Sequence, residues 1–263
     1  MSYTFTKMHG LGNDFVIFDA VRQDIQLSAK LIQRISDRRT GIGCDQVLRI
    51  LPALSDQADI TLEIFNADGS PAGACGNGTR CIAWMQAQNM NKPDIRIATA
   101  DRTVQVHVTS MDEVKADMGK ATCQEIDLHH QDIAHAFAVN VGNPHVVLFP
   151  KKDAHVDLEN IAQELQRNLL FPQGTNVELV KIIDRKKIQM DVWERGAGIT
   201  AACGTGACAA ATASYSLGLT DKHCTVQMTG GRLKVDISDT LHIQMTGPVC
   251  LSYTGTLDPS LFE

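Results

Sequence analysis

Two cysteines sit in surroundings that activate thiols. Ile64 to Gly78 reads IFNADGSPAGACGNG, and Val192 to Gly206 reads VWERGAGITAACGTG. In both, a strand-like run leads through a glycine-bearing loop into Ala-Cys-Gly-x-Gly and a helix. That order puts Cys75 and Cys203 at a helix N-terminus, beside unpaired backbone N–H groups and the positive end of the dipole. Such a place lowers the pKa of a thiol and favours thiolate near neutral pH. Gly76, Gly78, Gly204 and Gly206 let a ligand approach the backbone, and a helix end also receives a carboxylate. With two such loops, one thiolate can remove a proton from the carbon beside a carboxylate while the other thiol delivers one. That is general acid–base catalysis with inversion at carbon. The dipoles would stabilise the charge that builds on the carboxylate. The scheme calls for no cofactor, pyridoxal phosphate included, and no metal.

Each cysteine also has a plainer reading as a small buried hydrophobe. That reading suits Cys44, Cys123, Cys224 and Cys250. It also suits Cys81 and Cys208, about one and a half turns into their helices. Cys75 and Cys203 stand apart because their contexts match. Rival chemistries find little support. No CxxC pair offers metal-ligand spacing, and His129, His130 and His135 read as a polar loop. Gly41-Ile42-Gly43 lacks the third glycine of a dinucleotide fingerprint, and no phosphate loop or GxSxG elbow occurs. A cysteine hydrolase using His145 would leave the second cysteine loop unexplained.

The elements that must position these loops are mostly strands. Period-2 alternation predicts strands over Asp14 to Asp19, Thr61 to Phe65, Thr103 to Thr109, Lys187 to Trp193, Arg232 to Ile237 and Leu241 to Met245. Ser28 caps a predicted helix over Ala29 to Arg38, and Asp157 caps one over Leu158 to Asn168. Two more helices follow Cys75 and Cys203, the second ended by Gly218. The cysteine blocks repeat at an offset of about 128 residues. Two fainter matches lie at about 130: Gly12-Asn13-Asp14-Phe15-Val16 with Gly142-Asn143-Pro144-His145-Val146, and Gln46-Val47 with Asn176-Val177. Three matches in one order predict a duplicated α/β unit. The boundary falls near 119 to 132, where strand periodicity fades, giving halves of 1–120 and 121–263.

Composition bounds the rest. A chain of 263 residues, 44% hydrophobic and 21% charged, is an ordinary globular protein with enough length for a real core. A net charge of -6 argues against nucleic acid or an anionic membrane as partner through a general basic surface. No signal-like start and no unbroken apolar span are present, so the expectation is a cytoplasmic protein whose eight cysteines are reduced.

The chain resembles the diaminopimelate epimerases over nearly its whole length. The resemblance rests on MHGLGNDF at Met8 to Phe15, GIGCDQ at Gly41 to Gln46, and FNADGS with ACGNGTRC from Phe65 to Cys81. It continues in GNPH at Gly142 to His145, the Asn176 region, and ERGAG with ACGTGACA from Glu194 to Ala209. It implies an α/β (α+β) fold of two pseudo-symmetric domains, each a β-barrel-like sheet around a central helix, with the active-site cleft between them. The last strand can return to the first domain. It also implies a homodimer and a cofactor-independent enzyme that interconverts L,L- and meso-diaminopimelate. Carried onto matching positions, Cys75 and Cys203 are the acid/base pair. Gly76, Asn77, Gly204 and Thr205 serve the reacting end. Asn13, Gln46, Asn66, Asn143, Asn176, Glu194 and Arg195 contact substrate, with His145 in support. Arg195 suits the distal carboxylate, held by two parallel bonds. Glu194 and Arg195 are neighbours, and adjacent residues on a strand point to opposite faces, so only a loop conformation lets both reach one ligand.

The sequence departs from the family's usual residues at Cys44, Pro71, Gly73, Ala74, Thr79 and Ile199. Related two-cysteine racemases act on histidine, proline or hydroxyproline, and a racemase of another amino acid is the first alternative. Retention of Asn66, Asn176 and Arg195 favours diaminopimelate. A non-catalytic amino-acid-binding protein is the alternative from another class, although binding alone would not need both thiols.

Overall fold

The computed structural model describes residues 3–73 and 75–258. Contacts divide them into two compact units: those within Met1–Ala116 and Gly247–Glu263, and those within Asp117–Thr246.

In the first unit, β1 (Tyr3–Gly10), β2 (Asn13–Asp19), α1 (Ala29–Ser36), β3 (Gln46–Pro52), β4 (Ile60–Asn66) and β5 (Pro71–Ala72) lead to α2 (Gly76–Met90). Next come β6 (Asp94–Ala98), β7 (Thr103–Val108) and β8 (Val114–Lys120), within which the chain passes to the second unit. There β9 (Thr122–Ile126), β10 (Ile133–Asn140), β11 (Pro144–Pro150), α3 (Leu158–Leu165), β12 (Asn176–Asp184), β13 (Lys187–Glu194) and β14 (Gly198–Thr200) lead to α4 (Gly204–Ser216). β15 (His223–Met228), β16 (Gly231–Ile237) and β17 (His242–Gly247) follow, and β18 (Cys250–Leu257) lies in the first unit.

The two units share one wiring. β1 and β2 are antiparallel, β2 and β3 parallel, β3 and β4 antiparallel, β4 and β6 parallel, β6 and β7 antiparallel. β10, β11, β12, β13, β15 and β16 repeat that alternation in the same order. β18 flanks β1 as β9 flanks β10. Even the register repeats: Phe15 faces Gln46 as His145 faces Asn176.

Periodicity explains most elements. Alternating burial along β7, β13 and β17 follows alternating residue type. On α1, Leu31, Ile32 and Ile35 pack against Val16, Phe18 and Val47. On α3, Leu158, Ile161, Ala162 and Leu165 pack against Val146, Leu148 and Val177. The helices after the cysteines differ: Ala207, Cys208, Ala209, Ala210, Ala211 and Ala213 of α4 are all buried. A helix buried on every face packs inside its sheet, and small side chains let β9 to β13, β15 and β16 close around it.

Three expectations need correction. α1 stops at Ser36, because the Asp37 carboxylate accepts from the N–H groups of Arg39 and Thr40 and forms a turn. α3 ends at Leu165, where the Gln166 side chain turns onto the Ala162 and Thr175 carbonyls. The segment of faded periodicity is in part strand: it holds the end of β8 and the whole of β9, whose residues are too exposed to alternate cleanly, before it passes into a loop. Gly218, at φ +75°, does end α4.

Candidate active site

In the first unit Cys75 is the N-cap of α2. Its extended backbone turns the side chain over the helix start, and its Sγ accepts from the Gly78 N–H at 3.4 Å. The thiol donates to the Asn13 Oδ1 at 3.6 Å, and the Asn77 amide donates to the same oxygen at 3.3 Å. Asn13 in turn donates to Asp45 at 2.9 Å. The other Asn77 terminus, Oδ1, accepts from the fully buried Arg80 at 2.7 Å. Gln46 and Asn66 face each other across β3 and β4, and Gln46 donates to Asn66 at 3.1 Å. The structure therefore joins Cys75, Asn13, Gly76 and Asn77 directly and sets Gln46 with Asn66 as a second pair. Of the departures from the family pattern here, Thr79 is buried in α2, and Ala74 lies outside the described residues.

In the second unit Cys203 caps α4 in the same way, accepting from the Gly206 N–H at 3.4 Å, with the Thr205 hydroxyl at 3.5 Å. Glu194 ends β13, and Arg195 stands in the tight turn to β14, bounded by Gly196 and Gly198 at positive φ. That turn frees the neighbours from opposite faces. Arg195 donates its backbone N–H to the Asn176 Oδ1 and its guanidinium to the Gln173 carbonyl. Glu194 accepts from Thr200 at 2.5 Å. Asn176 also donates to the Pro144 carbonyl, and the Asn143 Oδ1 lies 3.0 Å from the His145 Nε2. Asn143, His145, Asn176 and Arg195 thus form one linked set around the strand ends. Ile199, on β14 opposite Trp193, is 63% exposed.

The expectation that the helix end lowers the Cys203 pKa is wrong for this conformation. Burial pushes the thiol well up, and Glu194 and Glu178 push it further. The Thr205 hydroxyl and the Gly206 N–H oppose them without prevailing. In this conformation the surroundings of Cys203 therefore favour thiol over thiolate.

None of the eight cysteines forms a disulfide. Cys44, Cys81, Cys208 and Cys224 are buried as expected, and Cys123 is half-buried. Cys250 is exposed on β18, a strand that turns most of its residues outward, so the buried reading fails there.

Sequence reasoning missed Glu178, Asp45 and Arg80. A signal existed for Glu178: it lies two residues beyond Asn176 on one strand, and so on the same inward face. Nothing comparable marks Arg80, since a buried arginine in a helix reads as surface until its partners are seen.

Two units of one wiring, each closed around a helix headed by a cysteine, define a known fold. The solved phenazine biosynthesis protein of the PhzF family from Bacillus anthracis shares it with a TM-score of 0.74 at 14% identity, covering 98% of this chain and 99% of that one. At the level of sequence, the Diaminopimelate epimerase family model matches residues 5–124 and 137–251. The chain belongs to the diaminopimelate epimerase family. It is 40% identical to the diaminopimelate epimerase of Gluconobacter oxydans, over 97% of this chain and 99% of that protein. It is 38% identical to that of Rhodospirillum centenum, over 98% and 93%.

Proposed function

We propose that this chain is an isomerase that interconverts L,L- and meso-diaminopimelate, Cys75 and Cys203 exchanging the α-proton without a cofactor. The observation that carries the reading is the matched pair of capping thiols, each accepting an N–H of its helix at 3.4 Å. Belonging to a family of epimerases supports the reaction class. In each half-reaction one thiolate takes the α-proton, and the other thiol returns a proton to the opposite face. Helix N–H groups at Gly76 and Gly204, with Asn13, Asn77, Asn143 and Thr205, receive the reacting carboxylate and ammonium. Charge building on that carboxylate then meets fixed dipoles that need no reorganisation. Gln46, Asn66, Asn176 and Arg195 receive the distal end, where a planar guanidinium suits a carboxylate. Glu194 accepts from an ammonium, and His145 orients its neighbours. The reading includes a cytoplasmic homodimer.

The test is proton NMR of L,L-diaminopimelate in D2O with reduced enzyme. Loss of the α-proton signal with growth of the meso form is expected. Cys75→Ala and Cys203→Ala should each lower the rate about 10²- to 10⁴-fold, the range of a positioned acid or base. No exchange with fresh, reduced enzyme would overturn the reading.

A further inference from the structure

Glu178 is a carboxyl with no exposed surface, on the inward face of β12. Its Oε1 lies 2.7 Å from the Nδ1 of His145, which is equally buried on the neighbouring parallel strand. At that distance one hydrogen bond joins the two side chains, its proton carried by the ring nitrogen or by the carboxyl. The other carboxyl oxygen, Oε2, is buried without a hydrogen-bond partner. An arrangement that leaves half a carboxyl unsatisfied is costly to stability.

Its position beside the thiol follows from Gly206. A methyl group on that glycine would lie 2.7 Å from the Glu178 Oε1 and 3.3 Å from the Cys203 Sγ. Carboxyl and thiol therefore flank one glycine at the head of α4. The first unit provides the control. Counting along the repeat, Leu48 corresponds to Glu178, Phe15 to His145 and Gly78 to Gly206. A methyl group on Gly78 would lie 3.1 Å from the Leu48 Cδ1 and 3.5 Å from the Cys75 Sγ. The same wiring and register thus fold around an apolar pair in one unit and an ionisable pair in the other. Packing does not require the ionisable pair, so its reason lies in chemistry.

We infer that Glu178 is a positioning residue for Cys203: pinned by His145, its carboxyl keeps that thiol protonated in the resting enzyme. Cys203 then begins as the proton donor, and the two cysteines are chemically unequal. The ionisable groups around Glu178 are His145 on β11, Glu194 on β13 and Cys203 at the head of α4. Burial and Glu194 hold the Glu178 carboxyl above the usual range, while His145 opposes them. In the reaction, Cys75 thiolate takes the α-proton and the Cys203 S–H bond breaks to protonate the α-carbon. That leaves Cys75 as thiol and Cys203 as thiolate. Two acidic neighbours then favour return of a proton to Cys203, water carrying to it the proton that the Cys75 thiol releases as it becomes thiolate again.

The inference rests on the proposed roles of the two cysteines, and its test reads a thiol rather than turnover. The full chain is labelled with ¹³C at cysteine Cβ and titrated by NMR, with Cys75→Ser and Cys203→Ser assigning the two signals. In the unaltered chain Cys203 should remain a thiol beyond about pH 9, past the ordinary cysteine range. In Glu178→Gln its titration should move down by about one pH unit or more, tenfold in proton affinity, while Cys75 stays in place. A second variant, His145→Phe with Glu178→Leu, copies the apolar pair of the first unit and should shift Cys203 in the same direction. A folded variant with Cys203 unmoved would overturn the inference, as would a thiolate at pH 7 in the unaltered chain. Failure of both variants to fold would assign the pair to stability and overturn it too. Loss of α-proton exchange in the unaltered chain would instead sink the proposed function, whatever Cys203 does in the titration.

Discussion

Asn13 is fixed at both ends of its amide. Its Nδ2 donates to Asp45, which leaves Oδ1 turned to the Cys75 thiol and the Asn77 amide. Asp45 is itself held by Arg38, which also grips Asp14 with both Nη atoms, and Lys7 adds a further contact to Asp14. Burial alone would raise the Asp14 pKa, but the bonds from Arg38 and Lys7 hold its carboxyl far below the usual range. A partly exposed charge cluster therefore sets which face of one amide meets the thiol. In Asp45→Ala the amide loses the partner that defines its orientation. We expect kcat/KM to fall about tenfold, because misplacing a group beside the reacting atoms is costly to rate. Stability should change by less than about 1 kcal/mol, as for other exposed ion pairs. Steady-state kinetics with urea denaturation would check both, and an unchanged kcat/KM would show that Asn13 is held by other means. At this scale Cys75 and Cys203 were legible because glycines and a following helix mark their setting. Asp45 and Glu178 act through other residues, and such effects have no spacing to read.

The four helices among the described residues include two kinds that call for different substitutions. α1 and α3 are amphipathic, capped by Ser28 and Asp157, whose side chains accept from the N–H groups of Leu31 and Asn160. Ser28→Ala should cost about 1 kcal/mol, and Lys30→Ala on the exposed face of α1 should be near neutral. α4 is closed in on all sides, and Ala210 has no exposed surface. Ala210→Leu should therefore cost about 1–3 kcal/mol through overpacking, and it should also disturb Cys203 at the head of the helix. Urea midpoints for the three variants would test the contrast. A tolerated leucine at 210 would mean that the sheet around α4 yields. The amphipathic helices and alternating strands were legible because their periods show which face is buried. α4 was legible only through its first residues, since an alanine-rich run has no period to read. Likewise β9 was missed because exposure on both faces erases alternation.

Over the whole molecule, the buried thiols and salt-bridged carboxylates confine stability to a middle range of pH. Burial raises the pKa of Cys44, Cys81 and Cys203, and lifts Cys224 to about 11. In the unfolded chain all four ionise near the ordinary value of about 8.5. Above that pH the unfolded state holds fewer protons than the folded state, so stability falls as pH rises. Each thiol still protonated in the folded chain contributes up to about 1.4 kcal/mol per pH unit to that slope. On the acid side, burial opposes ionisation of Asp59, but Arg96 and Lys92 hold its carboxyl far below the usual range, as Arg38 and Lys7 do for Asp14. As pH drops below about 4, the unfolded chain takes up protons that these two carboxylates refuse, and their stabilisation is lost. Glu178 works the other way: its raised pKa weakens the fold as pH climbs through the carboxylate range. Urea denaturation under reducing conditions from about pH 3 to pH 10 should therefore give a dome. Cys224→Ala should lower its height through lost packing but flatten its alkaline limb, because one fewer thiol distinguishes the two states. An alkaline slope identical in Cys224→Ala and the unaltered chain would show that this thiol ionises equally in both, and that its burial gives way before the fold does.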